Sequence, residues 1–164
     1  MFLKRGPVFN SLFLKILFFL PFSLDRNNIG CPYIQRPGFG PDVSAKVLGA
    51  IGDPDRFQNG KQVLKLAGLD LSADRSGKDS DKAIPKISKR GKADLRYALY
   101  QAALIASTKN QDFMRYYTRK LQGREREKGI QTKMWVKLSA KMLMIAWTLM
   151  KKKEVFDPAY LNIE

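Results

Sequence analysis

Residues Gly68 to Ala106 read GLDLSADRSGKDSDKAIPKISKRGKADLRYALYQAALIA, and the rest of the chain is organised around them. The stretch opens on a short apolar run and a Ser-Gly pair, Ser76 and Gly77. A lysine-studded polar loop follows, then a basic knot of Lys86, Lys89, Arg90 and Lys92. The remainder reads as a long amphipathic helix, with Leu95, Leu99, Ala102 and Ala106 on one face and Ala98 and Ala103 beside them. Small side chains on that face let a second helix approach closely, so the face reads as core. Cations crowd the start of this helix, where the macrodipole is already positive and favours an anion. A phosphate docked at the helix N-terminus explains that crowding. A solvated charged loop explains it equally well.

The whole chain has 164 residues, a length that suits one domain, or one domain and a tail. Lys and Arg number 30 against 15 Asp and Glu, a formal net charge of +15. An excess of that size points to an anionic partner, nucleic acid or a membrane surface. There is no histidine, which removes the usual neutral-pH base and the commonest metal ligand. The single cysteine, Cys31, can make neither an internal disulfide nor a cysteine-based zinc site. A reducing, cytoplasmic setting is expected.

Working toward the N-terminus, PGFGPDVSAKVLGAIGD begins at Pro37, with Gly38 and Gly40 bracketing Phe39. Pro41 stands where a first helical residue belongs, and Val43, Val47, Leu48 and Ile51 share one face. The pattern is that of the second half of a helix-hairpin-helix, in which glycine amides at a helix N-terminus face a DNA phosphate without an intervening Cβ. An ordinary capping turn accounts for the same residues. Asp53-Pro54 predicts a turn, and Asn59-Gly60 starts a short helix through Val63, Leu64 and Ala67. Before all this, residues Met1 to Leu24 form an apolar leader broken by Lys15 and Pro21. It is too short and interrupted for a clear membrane span and lacks a cleavage site, so a vestigial leader ranks ahead of a weak anchor or an export signal.

Toward the C-terminus, a helix from Asn110 or Gln111 carries Phe113, Met114, Tyr117 and Leu121. Its Tyr116 and Tyr117 stand among Arg115, Arg119 and Lys120, a setting for base stacking or for half-buried packing. Gly123 to Gly129 reads as a charged loop. The last helix, about Thr132 to Lys152, spaces Trp135, Leu138, Met142, Ile145 and Leu149 as a core stripe, and Lys151, Lys152 and Lys153 suit its negative end. No alternating strand pattern stands out. The expected fold is mainly α: a helix-hairpin-helix-like segment plus amphipathic helices around a basic loop. The expected organisation is a leader over residues 1–30, a domain over 31–158 and a tail over 159–164.

The order of these motifs, PGFGPDVSAKVLGAIGD, GLDLS, the Arg-Ser-Gly step, KISKRGKADLRYALYQAA and the closing Phe-Asp-Pro at Phe156 to Pro158, resembles one known module. It is similar to the C-terminal transposase domain of the bacterial insertion-sequence family one-hundred-and-ten, grouped with one-sixteen and nine-oh-two and related to pilin-gene invertases. The resemblance implies cutting and rejoining of DNA in transposition. It places the family serine at Ser76 and the hairpin glycines at Gly38 and Gly40. It implies that divalent metal belongs to the four carboxylates of an N-terminal RuvC-like domain, with no cofactor in this chain. The leader stands where that domain would, so a truncated reading frame is expected. Arg36, before Pro37, departs from the usually apolar family position.

A serine hydroxyl needs a base or metal to become a nucleophile, and a phosphodiester needs its developing charge neutralised. Ser76 has Arg75, Lys78, Lys86, Lys89, Arg90 and Lys92 as an anion clamp. Asp74, Asp79 and Asp81 do not make a metal cage without partners, and Ser72 is the rival serine. The expected function is a DNA-binding transposase domain, inactive in cleavage by itself. DNA is the expected partner, and a guide RNA, a second copy or a full-length transposase are further ones. A non-enzymatic helix-hairpin-helix nucleic-acid-binding protein is the alternative, and a membrane-associated cationic protein is a third reading.

Overall fold

The computed structural model describes residues 39–72 and 86–161. The leader and the first half of the expected helical hairpin lie outside the described residues. Within them the fold is mainly α, as the residue patterns imply. The helices are α1 (Pro41–Ile51), α2 (Gly60–Ala67), α3 (Ala93–Lys109), α4 (Gln111–Leu121) and α5 (Ile130–Lys152). Short 3-10 turns occupy Pro54–Arg56 and Pro158–Leu161.

The helix boundaries follow local chemistry. Pro41 takes the first position of α1, where its missing N–H costs nothing. The side chain of Asn59 accepts from the Gln62 amide and starts α2, and Asn110 accepts from Asp112 and Phe113 amides to start α4. The C-terminal end of α1 is closed by the Arg56 guanidinium, which donates to the Ala50 carbonyl at 2.8 Å.

The longest helix, α5, packs against each of the other four. Its buried residues include Met134, Leu138, Met142, Ile145 and Leu149, with Leu143, Ala146 and Met150 in a second row. The buried face is therefore broader than the single stripe its sequence spacing predicts, because neighbours cover it from several sides. Opposite it, α3 buries Leu95, Ala98, Leu99, Ala102, Ala103 and Ala106. The row of alanines lets α5 and α1 come close to its axis. In α4 the buried aromatics are Phe113 and Tyr116, while Met114 turns outward, a rotation of the face expected from sequence. Phe156 stacks on Phe113 with ring centroids 5.7 Å apart, which fastens the Phe-Asp-Pro segment to α4, and Leu161 beyond it is buried.

One element has no precedent in the sequence pattern. A two-residue antiparallel ladder joins β1 (Leu71–Ser72) to β2 (Lys86–Ile87). Its pairing continues as backbone hydrogen bonds from Ser88 to Asp70, Lys89 to Gly68 and Lys92 to Leu66, at 2.8 to 3.0 Å. The run is possible because α2 ends at Gly68 in the left-handed region (φ +66). The Gly68 amide then donates to Lys65 and the Leu69 amide to Leu64, closing the helix. Gly91 lies against this turn so tightly that a Cβ on it would stand 2.2 Å from the Gly68 nitrogen. A Cβ on Gly68 would likewise meet the Gly91 nitrogen at 2.6 Å.

Gly91→Ala should lower unfolding stability by about 3 kcal/mol, because backbone and not a movable side chain blocks the new methyl. Gly60 gives the contrast. A Cβ there meets the Met144 methyl at 2.0 Å, but that atom ends a flexible chain. Gly60→Ala should stay within about 1 kcal/mol of the parent, since helix propensity offsets the repacking. Denaturant midpoints of the two variants check the order; equal losses would refute it.

Candidate nucleic-acid interface

The basic knot is mounted on this backbone frame. Lys86 lies in β2, Lys89 and Arg90 follow on the turn, and Lys92 occupies the position before α3; all four are exposed. Lys89 adopts a left-handed conformation (φ 56), uncommon for a residue with a side chain. Several bonds hold it there. Its amide donates to Gly68, and its carbonyl accepts from Arg96 Nη1 at 3.4 Å. The same Arg96 nitrogen donates to the Ala67 carbonyl at 3.0 Å, tying α3 to the end of α2. Ser88 Oγ donates to Asp70 Oδ1 and accepts from the Arg90 amide at 3.4 Å. The knot is thus presented by a frame fixed before any ligand arrives.

No side chain caps α3 at Lys92, so its first amides and positive dipole end face outward with the cations around them. Asp94 in the first turn supplies partial compensation. The N-terminus of α1 is open in the same sense: Gly40 precedes it, no side chain caps it, and a Cβ on Gly40 would meet nothing within 4 Å. Asp42, in its first turn, is held by Lys46 at 2.8 Å. The hydrogen bond to Asp42 raises the Lys46 ammonium above its ordinary range, with smaller contributions from Asp94 and Tyr97. Those last two belong to the early turns of α3, which packs against α1.

Gly38, Arg75, Ser76 and Lys78 lie outside the described residues. Gly40, Lys86, Lys89, Arg90 and Lys92 are described, and the ladder brings the last four together on one short frame. Sequence reasoning passed over Asp70, Ser88 and Arg96, which build that frame. No local sequence signal marks them, because their partners lie far apart in the chain. Tyr116 and Tyr117 serve packing. Tyr116 is buried, with Arg119 and Lys120 at 6.0 and 5.9 Å from its ring centre. Tyr117 stacks on Trp135 at 6.1 Å, and burial pushes its phenol above the ordinary range. The described residues do not fit a metal: among them no three His, Cys, Asp or Glu side chains converge. None of the described helices is long and apolar enough to cross a membrane.

Comparison with known proteins points the same way. Residues 34–118 match the family described as Transposase IS116/IS110/IS902. The pilin gene-inverting protein of Moraxella bovis is 32% identical over 123 residues, covering 74% of this chain and 36% of that protein. The chain therefore spans about a third of the length of this curated relative. The matched region includes α1, the ladder, the basic knot and α3, and most of α4.

The Asp70–Ser88 bond should matter for the frame. Ser88→Ala leaves a half-buried carboxylate and a turn amide without their partner, and should cost about 1–2 kcal/mol of stability. A double-mutant cycle with Asp70→Ala should return a coupling of at least about 0.5 kcal/mol. Additive losses would show that the bond holds nothing.

Proposed function

Since the chain belongs to the Transposase IS116/IS110/IS902 family, we propose that it is the DNA-binding C-terminal part of such a transposase. The observation that carries this reading is the placement of Lys89, Arg90 and Lys92 on a fixed turn at the uncapped start of α3. Like charges held together repel one another, and the cost is relieved when a phosphate docks among them. The open start of α1 at Gly40 would offer a second backbone contact, in the manner expected of a helix-hairpin-helix. Phosphate contacts fix register on the duplex and carry no sequence information by themselves. Sequence choice then rests on other parts of a transposition complex, a guide RNA among them.

The chemistry proposed for the whole transposase centres on Ser76. Its Oγ would bond to phosphorus as the bond to the leaving deoxyribose oxygen breaks, and the hydroxyl proton would pass to a general base. Arg75, Lys78 and the knot would neutralise the charge that develops on the phosphoryl oxygens. Divalent metal, where the reaction uses it, is assigned to a RuvC-like domain and not to the residues described. Inversion of a gene, the activity for which the Moraxella relative is named, is a DNA rearrangement that needs the same cutting and rejoining.

Binding should fall linearly in log affinity with log salt, at a slope of about −0.9 for each phosphate neutralised on duplex DNA. Lys89→Glu combined with Arg90→Glu should weaken binding to every duplex alike and flatten that slope by about 2. Affinity independent of salt, or unchanged in the double variant, would sink the proposal.

Ser76 has its own test. When the chain is combined with the RuvC-like domain of a close full-length relative, a protease-sensitive protein–DNA adduct should form. Ser76→Ala should abolish the adduct and leave DNA affinity nearly unchanged, whereas Ser72→Ala should retain it. An adduct that persists in Ser76→Ala removes Ser76 from the role.

A further inference from the structure

The phosphate contacts leave one surface feature unused. A cleft of about 360 Å3 opens between the ladder, the early turns of α3 and the middle of α5. Leu69 and Ile87 line it from the ladder, Tyr97, Tyr100 and Arg96 from α3, and Val136 from α5. The lining is apolar and aromatic with one cation, the usual make-up of a small-ligand site.

Tyr97 is the telling residue. It is 65% exposed, although a tyrosine ring gains from burial. Tyr100, one turn on, is fixed edge-on by Trp135 with centroids 6.2 Å apart. Arg96 is pinned by its bonds to the Ala67 and Lys89 carbonyls, so its guanidinium lies at a set position on the wall. The flat, apolar walls are continuous in the chain with the phosphate-facing cations at both ends. Ile87 leads within two residues to Lys89 and Arg90, and Ala93, which also lines the cleft, follows Lys92. A ligand that carries both a flat aromatic group and an anion matches the lining and the neighbouring cations together.

We propose that the cleft receives an unpaired DNA base, stacked on Tyr97, while the adjoining phosphate sits on the Lys89–Lys92 turn. The inference rests on the DNA-binding reading above and extends it to a preference for strands with a base out of the helix. Every base has a π face, so the stack selects unpaired structure and not sequence. Charge complementarity favours this occupant over an apolar peptide, which would leave the cations at the rim without partners. Stacking on Tyr97 also has a purpose in strand exchange, because a base held out of the duplex lowers the cost of opening its neighbours.

The test uses the full chain and two DNA hairpins that differ at one position, a bulged 2-aminopurine in the first and a paired one in the second. The expected result is an affinity about tenfold higher for the bulged hairpin, with quenching of its fluorescence on binding. Tyr97→Ala should bring the bulged hairpin down to the affinity of the paired one and remove the quenching. Tyr97→Phe, which keeps the ring, should retain both. Melting of the free variants checks that each is folded. Equal affinity of the parent for the two hairpins, or a preference that survives Tyr97→Ala, overturns the base site while leaving duplex binding intact. Binding of neither hairpin overturns the DNA-binding reading itself, and the base site with it.

Discussion

The backbone crossing at Gly68 and Gly91 is the constraint on which the site depends. Two chain segments approach until no Cβ fits on either residue, and only then can residues 66–72 run antiparallel to 86–92. The crossing converts the end of a short helix into one arm of a ladder. It sets the direction in which Lys89 and Arg90 leave the surface. It also fixes where α3 begins, since the Lys92 amide is spent on the Leu66 carbonyl in place of a cap. A two-residue ladder has little stability of its own. What holds it is burial of Leu69 beneath and the Arg96 clamp from α3, so the helical core supports the turn.

That dependence explains the division of labour in the fold. The α3–α5 packing is made chiefly of alanines, leucines and methionines, with Tyr100 set edge-on to Trp135. The polar bonds that cross between elements concentrate at the ends of helices: Arg56 at the end of α1, Arg96 at the end of α2, Trp147 on the Pro54 carbonyl. Each answers an orphan carbonyl or a turn that the helices create. Cations used in this way hold structure, whereas those of the knot are exposed. The distinction between Arg96 and Arg90 is therefore geometric, and composition alone could not draw it.

The sequence made the helices legible because their signals are local. Pro41, Asn59 and Asn110 mark starts by their own backbone chemistry, and the alanine row of α3 marks a buried face. The ladder was not legible, because two residues per strand leave no alternation to read and the partners are separated in sequence. The rotation of α4 was hidden for a different reason. Met114 and Tyr116 are both apolar enough for the core, and two elements packed against α4, namely α5 and the Pro158–Leu161 turn, lie far along the chain. In the site, the cations were visible as a cluster, but Asp70 and Ser88 looked like ordinary loop residues. Their role exists only once Gly68 and Gly91 have brought them together.

The same frame bears on how a serine between its arms could be used. Ser72 and Lys86 pair across the ladder, so the chain that carries Ser76 leaves and returns at neighbouring points. Lys86, at its return, therefore stands beside its departure at Ser72. A nucleophile on a long tether would lose reaction rate to the entropy of its own positions. On the role proposed for Ser76, fixing both ends narrows the positions open to it, and the crossing that fixes them leaves no room for a Cβ at Gly68 or Gly91. The helical core, the crossing and the cationic turn are thus coupled: the core supports the crossing, and the crossing sets where the cations stand.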